Sequence, residues 1–213
     1  VVDFIADKWQ DILFRSYQHV SLVVQSVLLA TIIAIALAVL VTQIPRLRSA
    51  ANMISAIGLT IPSLALLGLL VPLVGIGTLP PVIAVTFYAT LPILRNAVVG
   101  LSGVSPTLLE SAKGMGMGSL TRFRRVQLPM AWPVIMAGLR VSTQMSMGVA
   151  AIAAYVLGPG LGTYIFTGLA QIGGANALNY ALVGTFGVVI LALLLDAVLL
   201  LVSRLTTSKG IRV

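Results

Sequence analysis

Hydrophobic and polar positions separate along this chain in blocks the length of a membrane span. Residues 16–45 contain no Asp, Glu, Lys or Arg. Since about 20 apolar residues cross the ~30 Å hydrocarbon layer, residues 20–41 predict a first transmembrane helix, ended by Pro45, Arg46 and Arg48. The next charge-free stretch, 49–94, is long enough for two spans, at about 54–74 and 80–99. The run Gly75-Ile-Gly-Thr-Leu-Pro-Pro81 turns the chain between them. Pro62 and Pro72 predict bends in the earlier span, and Arg95 marks emergence of the later one from hydrocarbon. Further spans are predicted at about 132–157 and 182–202. Gly158-Pro-Gly-Leu-Gly162 breaks the helix after the first of these. Residues 163–180, uncharged but rich in Gly, Thr, Gln and Asn, read as a re-entrant or interfacial turn.

Residues 1–18 pattern differently. Phe4, Ile5, Trp9, Ile12 and Leu13 are available for one face, which predicts an external amphipathic segment lying along the membrane interface. Asp3, Asp7 and Asp11 stand where a signal peptide carries basic residues, so the first span reads as a retained helix. The whole chain, 1–213, reads as one transmembrane domain with no soluble domain attached.

Between the third and fourth predicted spans lies a polar and basic island, residues 105–129. It predicts two short helices: Ser105 caps the first, Pro106 occupies its opening turn, and Gly114, Gly116 and Gly118 break it. Ser119 caps the second, on which Leu120, Phe123 and Val126 or Gln127 share a face while Arg122, Arg124 and Arg125 spread over the rest; Pro129 ends it. An ordinary connection between spans has no need of capped helices and spaced glycines. The island therefore reads as a docking surface, against the plainer reading of an amphipathic surface helix with a basic face.

Composition fits this pattern. Hydrophobic residues make up 59% and charged residues 8%, against about 25% charged in soluble domains, which makes this an integral membrane protein. There is no cysteine, and the single histidine, His19, lacks neighbours with which to hold a metal and reads as interfacial. The net charge of +8 comes from residues dispersed between spans, not from a basic patch with interleaved aromatics, so nucleic acid is excluded as a partner. Topology explains the charge better. With five spans, one side holds Lys8 and Arg15, and the other holds Arg46, Arg48, Arg95, Lys113, Arg122, Arg124, Arg125, Arg204, Lys209 and Arg212. By the positive-inside rule the amino terminus is external, and the 105–129 loop and the carboxyl terminus are cytoplasmic.

Five acidic residues and one histidine supply no nucleophile with its base, no carboxylate pair and no metal cluster, which excludes an enzyme acting alone. No lysine completes a phosphate-binding Gly-x-x-x-x-Gly-Lys-Ser/Thr loop, so any ATP and magnesium must be held by another polypeptide, and no cofactor is expected here. Arg140 and Asp196 are the charges set deep in the spans, each roughly 12 to 17 Å from the cytoplasmic end of its own helix. They read as a brace between helices or as contacts for a zwitterionic substrate. Phe87, Tyr88 and Tyr155 lie within spans and read as core packing or as cation-π contacts along a pathway.

Glu110-Ser111-Ala112, Gly116 and Val126-Gln127-Leu128-Pro129 resemble the Glu-Ala-Ala, three residues, Gly, nine residues, Ile/Val-x-Leu-Pro signature of ATP-binding-cassette importer permeases, with Ser111 in place of the first alanine. Pro62-Ser-Leu-Ala-Leu66, Gly75-Ile-Gly-Thr-Leu-Pro80, Leu91-Pro-Ile-Leu-Arg-Asn96, Gly158-Pro-Gly-Leu-Gly162 and Leu195-Asp196, with Arg204 and Lys209-Gly210, are similar to the glycine betaine, choline and carnitine uptake permeases. The resemblance implies an all-α membrane protein of the small importer type, with five transmembrane helices and a cytoplasmic coupling helix at about 105–117. Leu109, Glu110, Ser111, Ala112, Gly114, Met115, Gly116, Leu128 and Pro129 would then meet the ATPase. The implied partners are two ATPase subunits, a second permease subunit (identical or paralogous), an external substrate-binding protein and membrane lipid, in a prokaryotic plasma membrane. A secondary carrier or channel working alone, or a non-transporting scaffold, are the rival readings.

Overall fold

A computed structural model describes residues 1–207, and within them every regular element is helical. Lys209, Gly210 and Arg212 of the basic tail lie outside the described residues.

The first helix, α1 (Val2–Gln43), runs without interruption through 42 residues. No Gly or Pro occurs in it, so nothing separates the expected interfacial segment 1–18 from the expected first span. At 1.5 Å per residue such a helix reaches about 63 Å, roughly twice the thickness of bilayer hydrocarbon. The expected distinct segment 1–18 is thus an extension of the first span.

The span expected at 54–74 is two helices, α2 (Pro45–Gly58) and α3 (Ser63–Val74), set at 91° to one another. Pro62 stands at the N-cap of α3 with extended backbone, and a residue preceding proline disfavours the helical region, so the bend sits here. Pro72 lies within α3 without ending it. The Tyr88 hydroxyl donates to the Ile61 carbonyl in the break, meeting one of the acceptors that the lost helical turn leaves open.

Two further long helices complete the core: α4 (Leu79–Ser102) and α7 (Leu128–Ile152). Ala30, Ala34 and Ala38 of α1, Ala89 and Ala97 of α4, and Ala131 and Ala150 of α7 are all fully buried, and small side chains let these backbones approach closely. Val23, Val85, Ile93, Ile135 and Met147 fill the space between them.

Around this core, α2 and α3 pack on α4. A 3₁₀ turn (Ala153–Val156) closes α7, and Leu157 then takes a left-handed conformation before the Gly158 break. A short helix, α8 (Gly162–Ala170), packs on the long α9 (Ala177–Thr206). With nine residues, α8 spans about 13 Å and cannot cross a membrane, in keeping with the expected re-entrant or interfacial turn. Among the described residues, α1, α4 and α9 are long and apolar enough to cross a membrane, and the bent pair α2 and α3 makes a fourth if counted together.

Candidate functional site

The island 105–129 folds as α5 (Pro106–Gly114), a single turn α6 (Ser119–Arg122) and a π-helical turn (Phe123–Gln127) that runs directly into α7. Ser105 takes the N-cap position of α5, although its side chain makes no capping bond, and Pro106 follows at the first helical position. The carboxyl end closes in a Schellman motif: the Met117 amide bonds the Ala112 carbonyl at 3.1 Å, and the Gly116 amide bonds the Lys113 carbonyl at 2.9 Å. That closure requires a left-handed residue at its centre, which Gly116 supplies with φ of 81°. The spaced glycine of the signature is therefore a helix-ending device.

Two expectations for this island need correction. Gly118, not Ser119, caps α6. Pro129 does not stop the second helix: lacking an amide hydrogen it cannot continue the α-helical ladder, and the chain accommodates it in a wider π turn, where the Leu128 amide reaches back to the Phe123 carbonyl. Leu128 packs against the core while Pro129 is exposed, so this junction joins the island rigidly to α7.

On α5 the burial pattern is uneven. Ala112 is buried, with 1% of its surface exposed, and Leu109 is half-buried, whereas Glu110, Ser111, Lys113, Gly114, Met115 and Gly116 are exposed. Ser111 is held to its own helix by a hydrogen bond from its hydroxyl to the Thr107 carbonyl. Glu110 makes no ion pair among the described residues. A Cβ added at Gly116 would meet no atom within 4 Å. The exposed side of α5 thus has no partner among the described residues and presents an apolar Met115, the Glu110 carboxylate and a flat glycine.

Arg140 of α7 and Asp196 of α9 meet in a two-pronged ion pair, Nε to Oδ1 at 2.8 Å and Nη2 to Oδ2 at 2.7 Å. Nearer the opposite ends of the same two helices, the Trp132 indole donates to the Thr206 hydroxyl at 2.7 Å. These two rungs run in opposite chain order along α7 and α9, so the helices are antiparallel. Arg140 remains 34% exposed and Asp196 18%, so the pair lies on a flank of the bundle rather than within it.

The three pathway candidates separate. Tyr88 is buried and packs edge-on to Phe87, 5.4 Å between centroids, with its hydroxyl committed to Ile61. Tyr155 is exposed and lies beside Phe166 instead, at 5.7 Å. Sequence reasoning also misplaced His19, which is fully buried against Gly160, with its Nε2 in a hydrogen bond with the Met147 carbonyl. It missed a network joining α1 to α8. Arg15 holds Asp11 at 2.9 Å and donates to Thr163 at 2.8 Å, and the Tyr164 hydroxyl donates to Asp11 at 2.7 Å. Burial, and behind it the bond to Asp11, raises the pKa of Tyr164. Of this network only the Asp11 and Arg15 pair, four residues apart on one helix, was legible in the sequence.

Residues 26–208 match the family described as binding-protein-dependent transport system inner membrane component. The chain belongs to this family. It is similar to the choline transport system permease protein of Bacillus subtilis, 38% identical over 214 residues, covering 100% of this chain and 96% of that one. The glycine betaine/carnitine/choline transport system permease protein of the same organism is 38% identical over 212 residues, covering 100% and 96%. An osmoprotectant import permease protein of Salmonella typhimurium is 39% identical over 202 residues, covering 92% of each chain. Among solved structures, a chain of the inward-facing MetNI methionine ABC transporter superposes with a TM-score of 0.80 at 21% identity, covering 92% of this chain and 96% of that one. This inner membrane component therefore shares that fold, and it is an integral protein of the inner membrane.

Proposed function

We propose that this chain is the permease subunit of an ATP-driven, binding-protein-dependent importer for glycine betaine, choline, carnitine or a related quaternary ammonium osmoprotectant. The observation that carries the reading is α5: a short helix closed by Gly116, packed on α6 and on the π turn that leads into α7, whose exposed surface has no partner among the described residues. The names of the full-length relatives support the substrate class.

In this reading two ATPase subunits hold ATP and magnesium, and their closure pushes on α5. The push passes into α4 and α7, which flank the island. Leu109, Glu110, Ser111, Ala112, Gly114, Met115, Gly116, Leu128 and Pro129 form or support the contact. A second permease subunit completes the path, and an external binding protein delivers the solute.

Five spans fit the observed helices: α1, the bent pair α2 and α3, α4, α7 and α9. α7 carries Arg140, Gln144 and several hydroxyls; Ser142, Thr143 and Ser146 are buried in the bundle, and Arg140 is paired with Asp196. The amino terminus is external, and α5 is cytoplasmic. The rival carrier reading draws on Arg140, Asp196 and the proline-broken second span; the span is indeed broken, at 91°, but the two charges already satisfy each other.

Affinity purification in mild detergent tests the function. ATPase subunits should copurify, and uptake should stop on ATP depletion yet persist with an uncoupler. Uptake that follows the proton gradient, with no ATPase attached, would select the carrier.

A further inference from the structure

Between the ends of α1 and α4 and the island helices lies an open cavity of about 790 Å³. Two arginines line it from separate elements, Arg48 from α2 and Arg122 from α6, and among the described residues the wall contains no carboxylate. The Arg48 side chain is fixed, because its Nη2 donates to the Thr42 carbonyl at 2.6 Å. Its Nε is buried and has no partner among the described residues. That nitrogen has almost no exposed surface, so a ligand in the cavity would meet the outer guanidinium nitrogens, and two guanidinium side chains lining one cavity favour an acceptor with negative charge. Ser102 and Ser119 add hydroxyl donors at the rim.

Thr42, Gln43 and Gln127 add further polar groups, and the rest of the wall is apolar, formed by Leu101, Val104 and Phe123 among others. The geometry points to a binding site for the phosphate head group of an anionic phospholipid, with the phosphate between Arg48 and Arg122 and the glycerol and upper acyl chain along Leu101, Val104 and Phe123. The cavity opens where α1 and α4 end, the depth at which head groups lie. A free phosphate would leave the apolar wall facing water, and a quaternary ammonium solute would meet two like charges. Leu109 of α5 lines the same cavity, so the bound lipid would brace the island against α1 and α4. The identity of the leaflet rests on the orientation proposed above; the site itself does not.

The test uses the permease as purified with its ATPase subunits. Native mass spectrometry should find phosphatidylglycerol retained through delipidation, falling about tenfold in Arg48→Gln and in Arg122→Gln but not in Arg124→Gln, whose side chain is exposed and lies outside the cavity wall. Equal retention in all variants, or equal loss in all three, would overturn the site. Since either cavity variant could misfold, a second measurement leaves both arginines intact: a fluorophore on Leu120→Cys, an exposed residue of the cavity wall in a chain without native cysteine. Brominated phosphatidylglycerol should quench it with about tenfold preference over brominated phosphatidylcholine. Equal quenching by the two lipids, or a response to inorganic phosphate without lipid, would overturn the proposal. Quenching absent from the complex and seen only once the ATPase subunits are removed would overturn the lipid and assign the cavity to an acidic segment of the partner. Absence of the ATPase from the preparation would count against the importer reading and leave the lipid result standing.

Discussion

The Arg140 guanidinium and the Asp196 carboxylate form two parallel hydrogen bonds across α7 and α9, at 2.8 and 2.7 Å. Both charges are set within helices read as membrane spans, where an isolated charge costs ~2.5 to 3.5 kcal/mol on insertion scales. The geometry favours a brace over a substrate contact, since a paired and hydrogen-bonded charge has little left to offer a ligand. Arg140→Gln and Asp196→Asn should each lower thermal stability in detergent, and the double variant should recover part of the loss, with a coupling of about 1 to 3 kcal/mol. Additive losses, with substrate affinity falling at unchanged stability, would favour the substrate role.

Gly116 carries the left-handed turn that closes α5, and its surface is open within this chain. Gly116→Leu brings backbone strain of about 1 to 3 kcal/mol and a side chain on the proposed contact face, and Glu110→Lys reverses the charge beside it. Both variants should insert in the membrane yet lose at least about tenfold of solute-stimulated ATP hydrolysis, which corresponds to ~1.4 kcal/mol of coupling. Normal stimulation with normal ATPase association in both would remove α5 from the interface.

Orientation is read by cysteine labelling, which the cysteine-free sequence permits directly. In intact cells an impermeant thiol reagent should label Asp7→Cys and leave Ser119→Cys unmodified until the membrane is opened. The reverse pattern would invert the topology.

Tyr88→Phe keeps the ring against Phe87 but strips the donor from the Ile61 carbonyl at the 91° break between α2 and α3. A loss of about 1 kcal/mol in unfolding stability is expected, the ordinary value of a neutral hydrogen bond. Proteolysis near residues 59–62 should also rise, because the tether of the break is gone. Unchanged stability and unchanged cleavage would mean that Pro62 alone fixes the bend.

Much of this protein is written along the chain. Blocks of apolar residues of span length, separated by Pro, Gly and basic side chains, placed helices where α4, α7 and α9 lie and where α1 ends, because hydrocarbon thickness sets a length that composition must meet. The island 105–129 was legible through spaced residue types, since a Schellman closure needs a residue tolerant of positive φ at one position. That Arg140 and Asp196 could meet followed from counting residues along helices of fixed rise, and the two side chains do pair.

Tertiary structure decided what chain order leaves open. The absence of Gly and Pro permits residues 1–18 to continue the first helix but does not require it, and nothing local says that Pro129 is absorbed in a π turn rather than ending a helix. His19, alone in the sequence and read as interfacial, becomes buried because Gly160 and Met147, more than a hundred residues away, close over it. Arg48 and Arg122 are remote in sequence and acquire a shared cavity only when α2 and α6 are brought to the ends of α1 and α4. Periodicity and length fix elements within one helix, whereas contacts between helices depend on their packing angles and rotations, and those are set by the whole bundle together.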